Sequence, residues 1–181
     1  MKVHVAAFST AEESLPAGSH SGRLEKEFFD SMGRLGVARD QLFVYHYTVR
    51  RLSYSRQEVL EEMVKLGKDI KPDAVFLPSV SDLHQDHQVV HLEGLRAFKH
   101  LTIFGYELPW NHISFSANAF VKLEQRHIDA KWRALQAYES QIELSRSYFT
   151  RTFVEGLARI RGTQVKTVFA EAFEVTRFIV S

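Results

Sequence analysis

The chain has 181 residues, 45% of them hydrophobic and 25% charged, which is enough for one domain with a sizeable core and hardly enough for two. Its 23 Lys and Arg against 22 Asp and Glu leave a formal charge of +1, which offers no footprint for nucleic acid or an anionic membrane, and no run approaches the roughly eighteen apolar residues of a membrane span. With no cysteine there is neither a disulfide nor a thiolate metal site, and with an opening (residues 1–5) unlike a signal or transit peptide, the cytoplasm is the default location.

Along the chain, apolar runs of strand character alternate with helical periods. Residues 2–8 read as a first strand. Leu24, Phe28, Met32 and Leu35 then recur at helical spacing up to Gly36, an amphipathic helix with a glycine end. Residues 42–47 read as the next strand, and Val59, Leu60, Met63 and Val64 form a second helical stripe that stops before Pro72. Residues 74–77 and 101–106 read as strands. This β-α-β-α-β order predicts an α/β, Rossmann-like fold with a mostly parallel sheet and helices on both faces. Helices over 124–143 and 147–161 and a late strand over 167–173 complete a single domain, 1–181, without repeats or linkers.

Ligands bind beyond the carboxyl ends of strands in such sheets. There the chain places Ser81-Asp82-Leu83-His84-Gln85-Asp86-His87, with two imidazoles and two carboxylates in one short stretch. Imidazole nitrogen and carboxylate oxygen are good zinc ligands, and a catalytic zinc takes three protein ligands plus water. If Asp82 caps the helix beginning near His84, then His84, His87 and His91 share one helical face. Read without that chemistry, the same residues are a solvated polar helix start.

The run Asp82 to His87 resembles the Asp-x-His-x-Asp-His segment of the PIG-L/LmbE-like zinc-dependent N-deacetylases, which remove acetyl groups from N-acetylglucosamine-type sugars. The resemblance extends to Arg23 and Glu27 before Leu35-Gly36-Val37, to Lys71-Pro72-Asp73, to Asn118-Ala119-Phe120-Val121, to Lys131 with Tyr138-Glu139-Ser140-Gln141, and to Ala170-Glu171-Ala172-Phe173. It implies that His87 is a zinc ligand, that His84 stabilises the tetrahedral intermediate or protonates the leaving amine, and that Asp86 tunes His84. The family's opening Ala-His-Pro-Asp-Asp-Glu motif, source of two zinc ligands and the general base, has no counterpart here. Residues 3–8 match either the family's first strand, with its catalytic turn eroded to Phe8-Ser9-Thr10-Ala11-Glu12, or its second strand. The short distance from Thr10 to Arg23 favours the second, so the first strand is expected to be missing, zinc to be weakly held or absent, and hydrolysis to be incomplete.

Other candidates stand around this centre. Arg23 is read as substrate-binding, or as a helix partner of Glu27. Trp110, in Glu107-Leu108-Pro109-Trp110-Asn111-His112, offers a ring face for a sugar, or packs. Ser9 and Thr10 with Glu12 and Glu13 face the same cleft or form a capped loop. Trp132, Leu135 and Tyr138 lie on one helical stripe and are read as core. Three readings follow: a metal-dependent N-deacetylase for an amino-sugar substrate that lacks a segment; a non-catalytic sugar-binding or partner-binding module on the same fold; or a protein whose segment comes from another chain. The last predicts an open apolar sheet position, and such an edge favours a homo-oligomer.

Overall fold

The computed structural model describes residues 2–16 and 18–180; Met1, Ala17 and Ser181 lie outside the described residues. In chain order the elements are β1 (Val5–Ala7), α1 (Arg23–Arg34), β2 (Leu42–Val44), α2 (Arg56–Ile70), β3 (Ala74–Pro78), α3 (Gln85–Ala97), β4 (Thr102–Tyr106), β5 (Ala119–Leu123), α4 (Gln125–Leu135), α5 (Glu139–Glu143), α6 (Arg151–Gln164) and β6 (Phe169–Arg177), with 3₁₀ turns between several of them. They form two compact units, each built from two stretches: residues 1–49 with 122–171, and residues 50–121 with 172–181.

In the first unit, β1 and β2 run parallel with Val5, Ala6 and Ala7 opposite Leu42, Phe43 and Val44. The helix between them stops where the glycine predicts. Gly36 sits at φ 78°, its N–H donates to the Gly33 carbonyl, and the Val37 N–H donates to that of Met32. This is a Schellman ending, which needs the left-handed residue that glycine supplies most easily. Of the expected stripe of the carboxyl third, Trp132 and Leu135 lie against a core of Ile128, Val154, Ala158 and Phe169, whereas the helix expected over 124–143 is broken into α4 and α5, and Tyr138, between them, lines a cleft instead.

The second unit places α2 and α3 against each other and α3 against β3. Val59, Leu60, Met63 and Leu66 form the buried stripe of α2. Glu93 of α3 has no exposed surface and is bound by Arg56 at 2.5 Å and by Arg96 at 2.5 Å. A buried carboxylate left without those guanidinium groups would carry a desolvation cost of several kcal/mol. Farther along α3, Gly94 lets the helix backbone come down on Leu77 of β3, since a β-carbon there would meet the two Leu77 methyls at 2.5 and 2.7 Å.

Helices thus flank a β-sheet core, and the α/β class holds, but the sheet is not mostly parallel. It comes in two pieces, β1-β2 and β3-β4-β6-β5. In the larger piece β3 and β4 are parallel while β6 runs antiparallel to β4. The reason lies in the connection. Residues 107–168 leave β4 through β5 and three helices before β6 begins, so β4 to β6 is not the single-helix crossover that would impose a parallel neighbour. Among the described residues, β1 pairs only with β2, and β3 only with β4.

The close approach at Gly94 gives a test. Gly94→Ala gains up to about 1 kcal/mol of helix propensity but overpacks Leu77, which costs about 1–3 kcal/mol, so urea denaturation is expected to show a net loss of roughly 1 kcal/mol.

Candidate functional site

The site grows out of the end of β3. Pro78 closes the strand, the Asp82 N–H donates to the Ser79 carbonyl at 3.1 Å, and α3 begins at Gln85. Glu174 of β6 ties the loop down, accepting the Ser79 hydroxyl at 2.7 Å and the Val80 N–H at 3.2 Å. A second loop meets it from β4. The Leu83 N–H donates to the Asn111 carbonyl at 3.0 Å, and Asp82 bridges to His112 as an isolated antiparallel pair.

Asp82 is the anchor, with 1% of its surface exposed. Its Oδ1 accepts the His84 N–H at 2.8 Å and its Oδ2 lies 2.8 Å from His87 Nδ1. It is therefore not the helix cap that the sequence suggests. His84 takes that position, its Nδ1 accepting the Asp86 N–H at 3.2 Å, while Asp82 holds the residue that caps.

Two imidazole tautomers follow from these bonds. The Asp82 carboxylate is an acceptor, so neutral His87 carries its proton on Nδ1 and keeps a lone pair on Nε2, the arrangement in which carboxylate-bound histidines ligate metals. His84 uses Nδ1 as an acceptor, so its neutral ring carries the proton on Nε2 and is a donor there. The two rings lie 4.6 Å apart. Burial, and then the neighbouring His87, push the His84 pKa below the ordinary 6.5, against the opposing pull of Asp86 and Asp82. Burial, with Asp82 adding to it, raises the Tyr106 hydroxyl well above its usual range, which keeps the phenol neutral.

The other predicted residues divide. Asp86 is buried, and its carboxylate accepts the N–H groups of Arg50 at 2.5 Å and Leu52 at 3.2 Å. Its oxygens therefore hold a loop, and it meets His84 through its backbone. His91 shares the helix but not the site: its Nδ1 lies 2.8 Å from the Pro78 carbonyl, and its Nε2 is buried without a partner. Trp110 is 46% exposed in the 3₁₀ turn Pro109–Asn111. The residue next to it, Asn111, places its amide nitrogen 3.4 Å from both Asp82 Oδ2 and His87 Nδ1. The sequence offered this amide as part of the loop after a strand, without a role of its own.

Arg23 belongs to the other unit, where it pairs with Glu27 at 3.1 Å and with Glu143 at 2.7 Å. The Glu143 bond raises the Arg23 pKa and lowers that of Glu143. Glu27 is buried and also accepts the Ser140 N–H at 2.9 Å and its hydroxyl at 2.5 Å. Glu12 accepts the Glu25 N–H at 3.1 Å and so caps α1. Ser9 and Thr10 line a cleft of about 240 Å³ with Phe28 and Tyr138, and burial, then Glu27, raises the Tyr138 hydroxyl to about 12.

A family comparison decides what the motif belongs to. The PIG-L family, described as GlcNAc-PI de-N-acetylase, matches residues 1–98, more than half of the chain. The chain belongs to the PIG-L family. The matched stretch contains α1 with Arg23 and Glu27 and the whole Asp82–His87 loop. Solved structures agree at the level of fold. A conserved protein from Thermus thermophilus is 18% identical with a TM-score of 0.75, over 99% of this chain and 84% of its own. N,N'-diacetylchitobiose deacetylase from Pyrococcus horikoshii is 18% identical with a TM-score of 0.70, over 94% and 70%. GalB, the 4-carboxy-2-hydroxymuconate hydratase of Pseudomonas putida KT2440, is 17% identical with a TM-score of 0.75, over 99% and 86%.

For a PIG-L member the ligand count is the salient departure. No group of three His, Cys, Asp or Glu side chains is placed to hold a metal among the described residues. His87 Nε2 offers one nitrogen where catalytic zinc takes three protein ligands, so the residues present do not fit a catalytic zinc by themselves.

Two expectations follow from this geometry. Asp86→Ala strands two backbone donors and should cost about 2 kcal/mol in denaturant unfolding. The folded His84 takes its proton at lower pH than the unfolded ring does. As pH falls below about 6.5 the unfolded chain therefore binds the proton first, and stability drops until the folded value is passed. His84→Asn, which keeps a capping side chain, should lack that part of the loss when stability is measured against pH.

Proposed function

We propose that this chain is the scaffold of a metal-dependent N-deacetylase acting on an N-acetylated amino-sugar-type substrate, with a site that its own residues leave incomplete. The observation that carries this reading is the Asp82–His87 pair, which frees His87 Nε2 for a metal at the carboxyl end of β3. The deacetylase among the proteins of similar fold supports it, and the family match covers the same loop.

The assignments follow from the hydrogen bonds. His87 is the metal-binding nitrogen. His84, neutral with a proton on Nε2, donates to an oxyanion developing on the acetyl carbonyl, which preorganised donors stabilise, or delivers a proton to the leaving amine. Asp86 is a positioning residue that fixes the turn from which His84 projects. Trp110 supplies a ring face for the sugar, and Arg23 is assigned to substrate binding from its own unit, where it pairs with Glu27 and Glu143. The described residues supply no general base. No helix is long and apolar enough to cross a membrane among the described residues, and a cytoplasmic location with a small-molecule substrate is part of the proposal.

The test compares zinc content and hydrolysis of a chromogenic N-acetylglucosamine derivative in this chain and its His87→Ala variant. The expected result is zinc well below stoichiometric and background turnover in both. Stoichiometric zinc with turnover, both lost in the variant, would show that the chain completes its own site. Calorimetric binding of N-acetylglucosamine in the presence of a chelator would instead favour the sugar-binding module.

A further inference from the structure

Arg50 is held in a conformation that an arginine does not choose for itself. It precedes the 3₁₀ turn Leu52–Ser55 and sits at φ 65°, in the left-handed region that glycine adopts freely and a residue with a β-carbon resists. The first turn of α3 keeps it there. Asp86 Oδ2 accepts the Arg50 N–H at 2.5 Å, Asp86 Oδ1 accepts the Leu52 N–H at 3.2 Å, and the Gln85 amide donates to the Arg50 carbonyl at 3.4 Å. The Asp86 N–H donates in turn to His84 Nδ1, so Asp86 links the Arg50 backbone to the His84 ring within the same compact unit.

The side chain has a different fate from the backbone. Arg50 and Arg51 are both exposed, and among the described residues neither guanidinium has a carboxylate partner, whereas Arg56, farther along, is paired with Glu93. The carboxylates of the site do not answer the Arg50 charge, because the oxygens of Asp82 and Asp86 are taken by backbone and imidazole groups. That charge reaches the site all the same: after burial and the neighbouring His87, it adds to what disfavours protonation of His84. A strained backbone fixed by a buried carboxylate, carrying an unanswered guanidinium beside two imidazoles, is the pattern of strain kept for function. The guanidinium fork fits a carboxylate or phosphate through two parallel hydrogen bonds. We infer that Arg50 is a specificity residue, binding a carboxylate or phosphate group carried by the substrate of the His84 and His87 site. The sugar part of that substrate rests on the hydrolase reading above; its anion rests on the arginine alone.

Calorimetric titration of the full chain tests both parts. The probes are N-acetylglucosamine, N-acetylglucosamine 1-phosphate, N-acetylmuramic acid as the carboxylate-bearing sugar, and inorganic phosphate. At least one charged sugar should bind about tenfold or more tightly than N-acetylglucosamine, the gain expected of charge-assisted, two-pronged hydrogen bonds, and the tighter of the two tells phosphate from carboxylate. Arg50→Gly should abolish that advantage while its urea midpoint stays level or rises, because relief of the left-handed strain offsets the freedom that glycine adds to the unfolded chain. An arginine with a purely structural role would do the reverse, losing stability with the anion preference unchanged. Arg50→Lys should keep part of the advantage, since the charge remains and the fork does not, and Arg51→Ala should keep nearly all of it. Equal binding of charged and uncharged sugars overturns the proposal, as does an advantage that survives Arg50→Gly or is lost equally in Arg51→Ala, and as does no binding of any anion. Inorganic phosphate held through Arg50, with no preference for an anion borne on a sugar, would uphold the anion site and overturn the amino-sugar reading.

Discussion

The buried Asp82 carboxylate is the constraint on which the rest of the site depends. A carboxylate with almost no solvent contact persists only when its oxygens are satisfied. Here one oxygen takes the His84 N–H and the other faces the His87 ring. The first bond starts α3 at a defined residue; the second fixes which nitrogen of His87 points outward. Burial, helix start and imidazole tautomer are thus consequences of one placement. Glu174, from β6, secures the same loop from its other end.

Much of this was legible in the sequence because it is local. The helical stripes, the glycine at the end of α1 and the apolar run of β3 are each written within a few residues, and so is the motif that ends in His87. What could not be read is what depends on distant partners. β5 escaped notice because Ala119 to Leu123 alternates weakly and ends in Lys122 and Leu123, with no strongly buried face. The reversed direction of β6 is set by the long excursion before it, not by its own residues. The resemblance assigned Asp86 to tuning His84, and nothing in the sequence showed that its oxygens also hold a loop more than thirty residues earlier in the chain. The role of Arg23 was visible in outline, since Glu27 lies one turn away; Glu143 was not.

The similar folds also mark what architecture leaves open. A deacetylase and a hydratase both share this fold at comparable similarity, so the layering of strands and helices selects no reaction by itself. What distinguishes such proteins is the set of groups gathered at the carboxyl ends of the strands. In this chain that set contains two imidazoles in complementary tautomers, one an electron-pair donor and the other a proton donor, with a neutral phenol and an amide nearby.

The Asp86 clamp has a consequence for how the molecule breathes. Its carboxylate joins the backbone at Arg50 and Leu52 to the first turn of α3, so neither segment opens without breaking charge-assisted hydrogen bonds held by the other. Fraying of the helix start and release of the loop therefore form one cooperative excursion instead of two independent ones. The histidines ride on that shared unit, and the lifetime of their arrangement is set by its opening free energy, not by the mobility of an isolated surface turn.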